Sequence, residues 1–279
     1  MEIGVIGQGF VGNALYQKFK NYYDIKTYDL DESKCNSSKQ EVLDCEIVFV
    51  CLPTPMNTDG SCHTGIVEGA IAEISSNNKT KIAIVKSTVP PGTTKGWNSW
   101  YGPNLSVVFN PEFLTEANAV KDYENQNRII LGGDEDVTLD LSPLFLEVFP
   151  HASIILTDST EAEMIKYLTN NFLSVKVAFA NEMYDLCSTL NVDYDSVIKY
   201  ATYDERLGKS HWSVPGPDGD FGFGGHCFPK DLAAILSVTR EHDTIDNVLK
   251  AAQATNHSVR RNKDWEKMIG RAVVESLDT

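Results

Sequence analysis

No stretch of the 279-residue chain approaches the ~18 consecutive apolar residues of a membrane-spanning helix. The N-terminus, MEIGVIGQGF, has neither a basic segment nor a cleavable apolar run, so no secretory leader is expected. The six cysteines (Cys35, Cys45, Cys51, Cys62, Cys187, Cys227) form no C-x-x-C pair and no zinc-like spacing. No metal site is expected, and the scattered thiols read as the reduced cysteines of a cytoplasmic protein. Basic side chains are scarce, 24 against 39 acidic, for a formal net charge of −15. A field of that sign disfavours nucleic acid or an anionic membrane as a general partner. Internal repeats and low-complexity tracts are absent too.

What is present is a globular composition, 42% hydrophobic with aromatics throughout, at a length that suggests two domains. Seven short Val/Ile-rich runs read as buried strands: Glu2–Ile6, Ile25–Tyr28, Ile47–Leu52, Ile82–Lys86, Ser106–Phe109, Arg128–Leu131 and Ser153–Leu156. Helical stretches such as Val11–Lys20, Gly65–Ser76 and Val137–Val148 alternate with them. That alternation predicts an α/β fold, a Rossmann-type doubly wound parallel sheet, over residues 1–158. From Thr160 to about Leu190 there is no Gly or Pro, and Leu168, Phe172, Val175 and Phe179 recur at helical spacing. A helix of ~30 residues, about 45 Å long, is expected there. Shorter helices at Ser196–Thr202, Lys230–Glu241 and Asp246–Val259 complete a helical domain over 159–260, with 261–279 left as a tail.

Two segments carry chemistry. Gly7-Gln8-Gly9-Phe10-Val11-Gly12 follows the first strand and opens the first helix. Gly7 permits a tight turn, Gly9 lets a pyrophosphate approach the backbone, and Gly12 lets helix and strand pack closely. The N–H groups opening the helix then face the phosphates. Asp29 ends the second strand, placed to accept the hydroxyls of a ribose and to repel a 2′-phosphate, so NAD is favoured over NADP.

The second segment is Gly222-Phe223-Gly224-Gly225-His226-Cys227-Phe228-Pro229-Lys230-Asp231. Pro229 suits a first helical turn and would put Cys227 just ahead of the helix. The helix dipole and Lys230 favour a thiolate, while Asp231 opposes it. Asp231 lies four residues on, about one turn away, so thiol and carboxylate can share a site. Taken alone, Cys227 reads equally well as a small buried hydrophobe.

Five motifs occur in order: Gly7–Gly12, Ser87-Thr88-Val89-Pro90-Pro91-Gly92-Thr93-Thr94, Asn110-Pro111-Glu112-Phe113-Leu114, Ala162-Glu163-Met164-Ile165-Lys166-Tyr167 with Asn170, and Gly222–Asp231. Together they resemble the UDP-glucose/GDP-mannose dehydrogenase family, from Met1 to about Val259. The resemblance implies a second domain of the 6-phosphogluconate-dehydrogenase-like helical type. It also implies oxidation of a nucleotide-sugar's primary alcohol to a carboxylate in two hydride transfers to NAD. An aldehyde has no hydrogen that can leave as hydride beside an oxyanion until a nucleophile adds, and this chemistry calls for a thiol.

By that resemblance Cys227 is the nucleophile, and Lys166 and Asn170, one helical turn apart, stabilise the oxyanion and touch the sugar. Asp231 matches an acid/base carboxylate acting with a water. Thr88 and Glu116 match residues that hold this water beside the nicotinamide, and Glu112 assists hydrolysis. Thr54, Lys34 and Lys230 resemble further cofactor contacts beside Gly7, Gly9, Phe10, Val11, Gly12 and Asp29. Phe113, Leu114 and Gly224 resemble substrate contacts.

The segment Phe113-Leu114-Thr115-Glu116-Ala117-Asn118 departs from relatives that have Arg and Gly around the second Glu, and Val214–Asp220 lengthens the substrate loop. Typical members continue into a third domain where this chain reaches Thr279, and its lack is expected to weaken substrate capture. UDP-glucose is the expected substrate, with other nucleotide sugars such as UDP-N-acetylmannosamine, or a non-catalytic NAD-binding module, as alternatives. A homodimer through the long helices of the second domain is also expected.

Overall fold

The computed structural model describes residues 2–77 and 79–275. Seven strands form one sheet: β1 (Glu2–Ile6), β2 (Asp24–Tyr28), β3 (Ile47–Val50), β4 (Ile82–Val85), β5 (Ser106–Phe109), β6 (Arg128–Gly132) and β7 (Ser153–Thr157). Their order is β2-β1-β3-β4-β5-β6-β7. All neighbours run parallel except β5 and β6, which meet antiparallel at Phe109 and Gly132. The sheet is therefore the mainly parallel one expected, with a single reversal at β5 and β6.

Between the strands lie α1 (Phe10–Phe19), α2 (Lys39–Leu43), α3 (Gly65–Asn77), α4 (Thr93–Tyr101), α5 (Ala119–Glu124) and α6 (Glu135–Val148). Alternate residues along each strand face opposite layers, as the two-residue period of a strand requires. Ile3, Val5, Phe49 and Ile84 pack with Leu15, Phe19 and Phe145 on one side. Val48, Val50, Ala83 and Val85 pack with Val42, Ile71, Ile74 and Trp97 on the other. Helices thus cover both faces, the doubly wound arrangement expected of such a sequence. The order reverses between β1 and β3, the switch point beside whose carboxyl ends such sheets bind ligands.

The remaining helices are α7 (Ser159–Thr189), α8 (Tyr194–Ala201), α9 (Cys227–Glu241) and α10 (Asn247–Val259). The chain divides into two compact units. One comprises the residues up to Thr54 with Thr64–Lys166; the other comprises Pro55–His63 with the chain from Tyr167 onward. Position 158, where the sequence suggests a boundary, is the residue before α7, whereas the units divide within that helix.

In the second unit Tyr167, Phe223, Leu232 and Ile235 form one core cluster, and Ala180, Tyr194, Trp212 and Val214 form another. Residues 261–275 are not a loose tail. Trp265 and Val273 are buried, and Met56 exchanges backbone hydrogen bonds with Ala272 and Val274. On α7 the apolar stripe faces outward: Leu168 and Phe172 are 65% and 63% exposed, while Asn170, Asn171, Ser174 and Asn181 are buried.

Candidate active site

The glycine loop after β1 is built by steric exclusion. Gly7 sits at φ 92°, and a Cβ there would lie 2.4 Å from the Cys51 carbonyl oxygen. At Gly12 a Cβ would come within 1.9 Å of the Gly7 carbonyl oxygen, so only glycine lets α1 sit this close to the turn. Gly9 is different. A Cβ there meets nothing within 4 Å, and Gly9 caps α1 with no side-chain hydrogen bond. An open helix N-terminus, followed by Phe10 and Val11, is the cradle a pyrophosphate fits.

Asp29 closes the far side of this loop. Its Oδ2 accepts from the Gln8 N–H at 2.6 Å and its Oδ1 from the Asp31 N–H at 2.9 Å. The carboxylate is thereby held at the end of β2 with lone pairs left for a diol. Lys34 lies on an exposed turn and pairs with Asp31 at 3.2 Å. Thr54, buried after β3, donates its hydroxyl to the Thr88 carbonyl at 2.8 Å, and the Leu52 N–H donates to Ser87 Oγ at 3.0 Å. The loops after β3 and β4 are thus joined around Thr88.

In the same unit Lys166 and Glu112 form a dry pair, Nζ to Oε1 at 3.1 Å, with side chains 4% and 7% exposed. Lys166 also donates to the Glu112 carbonyl at 2.6 Å, and the Leu114 N–H donates to Glu112 Oε2 at 2.6 Å. An ammonium has three N–H donors, and among the described residues two acceptors, both on Glu112, face it. The Lys166 ammonium and the Arg128 guanidinium both stand over the Phe113 ring, 5.5 and 4.3 Å from its centre. Glu116, on a 3-10 turn, is exposed, in contrast to buried Glu112.

The second unit holds the thiol. Cys227 is the first residue of α9, with His226 as the capping residue and Pro229 third in the helix, so the thiol opens the helix rather than preceding it. Proline is tolerated there because the first N–H groups of a helix lack partners anyway. Cys227 is half-buried, and Asp231, one turn on, is almost fully buried. Asp231 Oδ1 pairs with Lys230 at 2.5 Å, and its Oδ2 accepts from Asn170 Nδ2 at 2.6 Å. Burial alone would lower the Lys230 ammonium, but the neighbouring Asp231, Cys62 and Cys227 outweigh it and raise its pKa. Lys230 is buried and engaged on Asp231.

Gly224 packs under a buried arginine: a Cβ would lie 2.1 Å from Arg260 Nη2. Arg260 itself pairs with Asp218 at 2.7 Å and Asp264 at 3.3 Å. The sequence reading missed this cluster, and it missed Lys86, which is buried at the end of β4. Lys86 Nζ donates to Asn110 Oδ1 at 2.8 Å and to the Asn110 carbonyl at 3.1 Å. Burial lowers its ammonium to about 8. The available signal was a lysine continuing a buried apolar run without a break.

Residues 32–149 match the NAD binding domain of the UDP-glucose/GDP-mannose dehydrogenase family, and residues 160–258 match its central domain. The chain belongs to this family. Among curated relatives of this dehydrogenase family, the UDP-glucose 6-dehydrogenase AglM of Haloferax volcanii is 29% identical over 92% of this chain and 69% of its own length. The UDP-glucose 6-dehydrogenase of Rickettsia bellii is 33% identical over 86% of this chain and 54% of its own. The chain therefore spans between about half and seven tenths of these two relatives. Among solved structures, a UDP-glucose dehydrogenase from Pyrobaculum islandicum superposes with a TM-score of 0.82 at 28% identity, covering 92% of this chain and 68% of that one. The UDP-D-ManNAc dehydrogenase of Pyrococcus horikoshii gives 0.77 at 25% identity, covering 93% and 69%. Among the described residues no helix is long and apolar enough to cross a membrane, and no cluster of metal-ligating side chains occurs.

Proposed function

We propose that the chain oxidises the C6 primary alcohol of a UDP-sugar, UDP-glucose in the first instance, to the carboxylate in two NAD-dependent steps. The observation that carries this reading is a half-buried cysteine opening α9 one turn from a buried carboxylate that is held by Lys230 and Asn170. NAD, when bound, supplies the hydride acceptor, and the residues fitted to hold it are Gly7, Gly9, Gly12, Asp29 and Thr54. In the proposed reaction the Cys227 thiolate adds to the aldehyde carbon, forming a C–S bond and a hemithioacetal oxyanion. The hemithioacetal again carries a hydrogen beside an oxyanion, so a second hydride can leave and give a thioester. Attack by water then breaks the C–S bond, releasing the acid and returning the thiol.

Lys166 and Asn170, one turn along the same helix, supply positive charge and an N–H to the developing oxyanion. Asp231, held by two donors, is suited to take and return protons through a water. Glu112, tied to Lys166, holds the ammonium in place, and help with hydrolysis is the second role proposed for it. Two copies are proposed to associate through the outward stripe of α7, where Leu168, Phe172, Phe179 and Leu186 stand exposed.

Calorimetry with NAD and UDP-glucose, followed by NADH detection over a panel of UDP- and GDP-sugars, tests the reading. Turnover on UDP-glucose that is lost in Cys227→Ala supports it. NAD binding without turnover on any sugar would overturn it and leave a nucleotide-binding module. Turnover on a different sugar alone would move the substrate assignment within the family.

A further inference from the structure

The helix α4 begins at a residue that cannot cap it. Gly92, at φ 94°, precedes Thr93 and offers no side chain to the first N–H groups of the helix. The Thr93 N–H donates locally, to the Pro90 carbonyl at 3.1 Å, but its two neighbours are satisfied from far along the chain. Glu163 Oε2 accepts from the Gly92 N–H at 2.5 Å, and its Oε1 accepts from the Thr94 N–H at 2.8 Å. Glu163 is fully buried on α7, three residues before Lys166. A carboxylate is the charge that the positive end of α4 prefers.

The loop leading into α4 carries Thr88, and its other end is tied to Thr54 and Leu52 through Thr88 and Ser87. One turn of α7 therefore grips two elements of the first unit: the Thr88 loop through Glu163, and the Glu112 turn through Lys166. We propose that Glu163 is a positioning residue whose carboxylate clamps the Gly92–Thr94 backbone to α7 and so fixes Thr88 relative to Lys166. The role of Thr88 and Lys166 in turnover rests on the function proposed above; the clamp itself does not.

The electrostatics support a role beyond packing. Burial pushes the Glu163 carboxyl up to about 7, against the hydrogen bonds from Thr94 and Gly92 that lower it, and Asp158 adds to the rise. A neutral side chain would sit there at less cost, and groups held against such a cost cluster where function needs them. Below about pH 7 the carboxyl stays buried but carries a proton, so one of the two oxygens that accept from the Gly92 and Thr94 amides becomes a donor and that hydrogen bond is lost, while the chain as a whole is not destabilised.

The test uses the full chain and Glu163→Gln, which keeps the shape but turns one acceptor into a donor facing an N–H. Exchange of the Gly92 and Thr94 amides is expected to rise about tenfold, the loss of one buried hydrogen bond. The value of kcat is expected to fall about ten- to a hundredfold, the scale of an ångström's misplacement, with KM for NAD within about twofold of wild type. Wild-type kcat should decline below about pH 7, a limb missing from Glu163→Gln and retained in Glu163→Asp. Wild-type exchange at both amides in Glu163→Gln would overturn the clamp. Faster exchange with unaltered kcat and pH profile would overturn the positioning role. If the wild-type chain forms no NADH, the functional reading fails and the positioning role with it, while amide exchange still decides whether the clamp exists.

Discussion

Gly9→Ala separates binding from folding at the glycine loop. Gly9 lies at φ −68° and ψ −166°, extended backbone open to any residue, and a Cβ there meets nothing within 4 Å. The folded chain therefore accommodates the methyl, and stability without ligand should change by no more than about 0.5 kcal/mol. The methyl instead occupies the space through which a pyrophosphate reaches the α1 amides. At about a hundred times its Kd, NAD adds about 2.7 kcal/mol to stability. For a chain of this size that corresponds to a rise in Tm of roughly 5–10 °C. A tenfold weaker Kd removes about 1.4 kcal/mol of it, and a hundredfold weaker Kd removes nearly all. Gly12→Ala should behave in the opposite way, since its Cβ would stand 1.9 Å from a backbone oxygen and destabilise the chain before any ligand is added. Thermal melts of the wild type and both variants, with and without NAD, read these outcomes. An NAD-induced shift in Gly9→Ala equal to that of wild type would refute the assignment of this loop to the pyrophosphate.

Three further outcomes follow from buried charges. Lys86, lowered to about 8, releases its proton in the folded chain before the unfolded one does, so stability should rise between about pH 8 and 10.5. The rise amounts to about 3 kcal/mol at 1.36 kcal/mol per pKa unit, and urea midpoints at the two ends should lose it in Lys86→Met. Glu163 has the reverse sign. Its carboxyl is raised from 4.5 to about 7, so stability present below pH 4.5 is lost as the pH rises through 7, and Glu163→Gln should flatten that slope. Lys166→Met strands Glu112 in a dry site and should cost about 3–5 kcal/mol in denaturant melts, with part recovered in the double variant Glu112→Gln/Lys166→Met. A single-variant cost under about 1 kcal/mol would show that the pair is not a desolvated one.

The inner strands were legible because each is a short apolar run buried on both faces, and Glu2–Ile6 and Ser106–Phe109 stand where the sequence alone puts them; the edge strands β2 and β7 are only partly buried. The antiparallel meeting of β5 and β6 was not legible, since buried strands read alike in either direction. Helix α4 was missed for a different reason: with glycine at its cap and Gly96 inside, its start signal is Glu163, 69 positions from Thr94. At the site, Gly7, Gly12 and Asp29 could be placed from local spacing because their roles are local. Lys86 and Arg260 could not, since an isolated lysine or arginine reads as a solvated charge until the fold buries it. The outward apolar stripe of α7 was readable as a stripe, but which way it faces is a property of packing.

The quantity that bears hardest on the role of Cys227 is the number of NADH molecules formed for each UDP-glucose consumed by the full chain. Two, with UDP-glucuronate as product and with both lost in Cys227→Ala, is the expected result. One, or two that persist in Cys227→Ala, would contradict a reaction that passes through a bond to that sulfur.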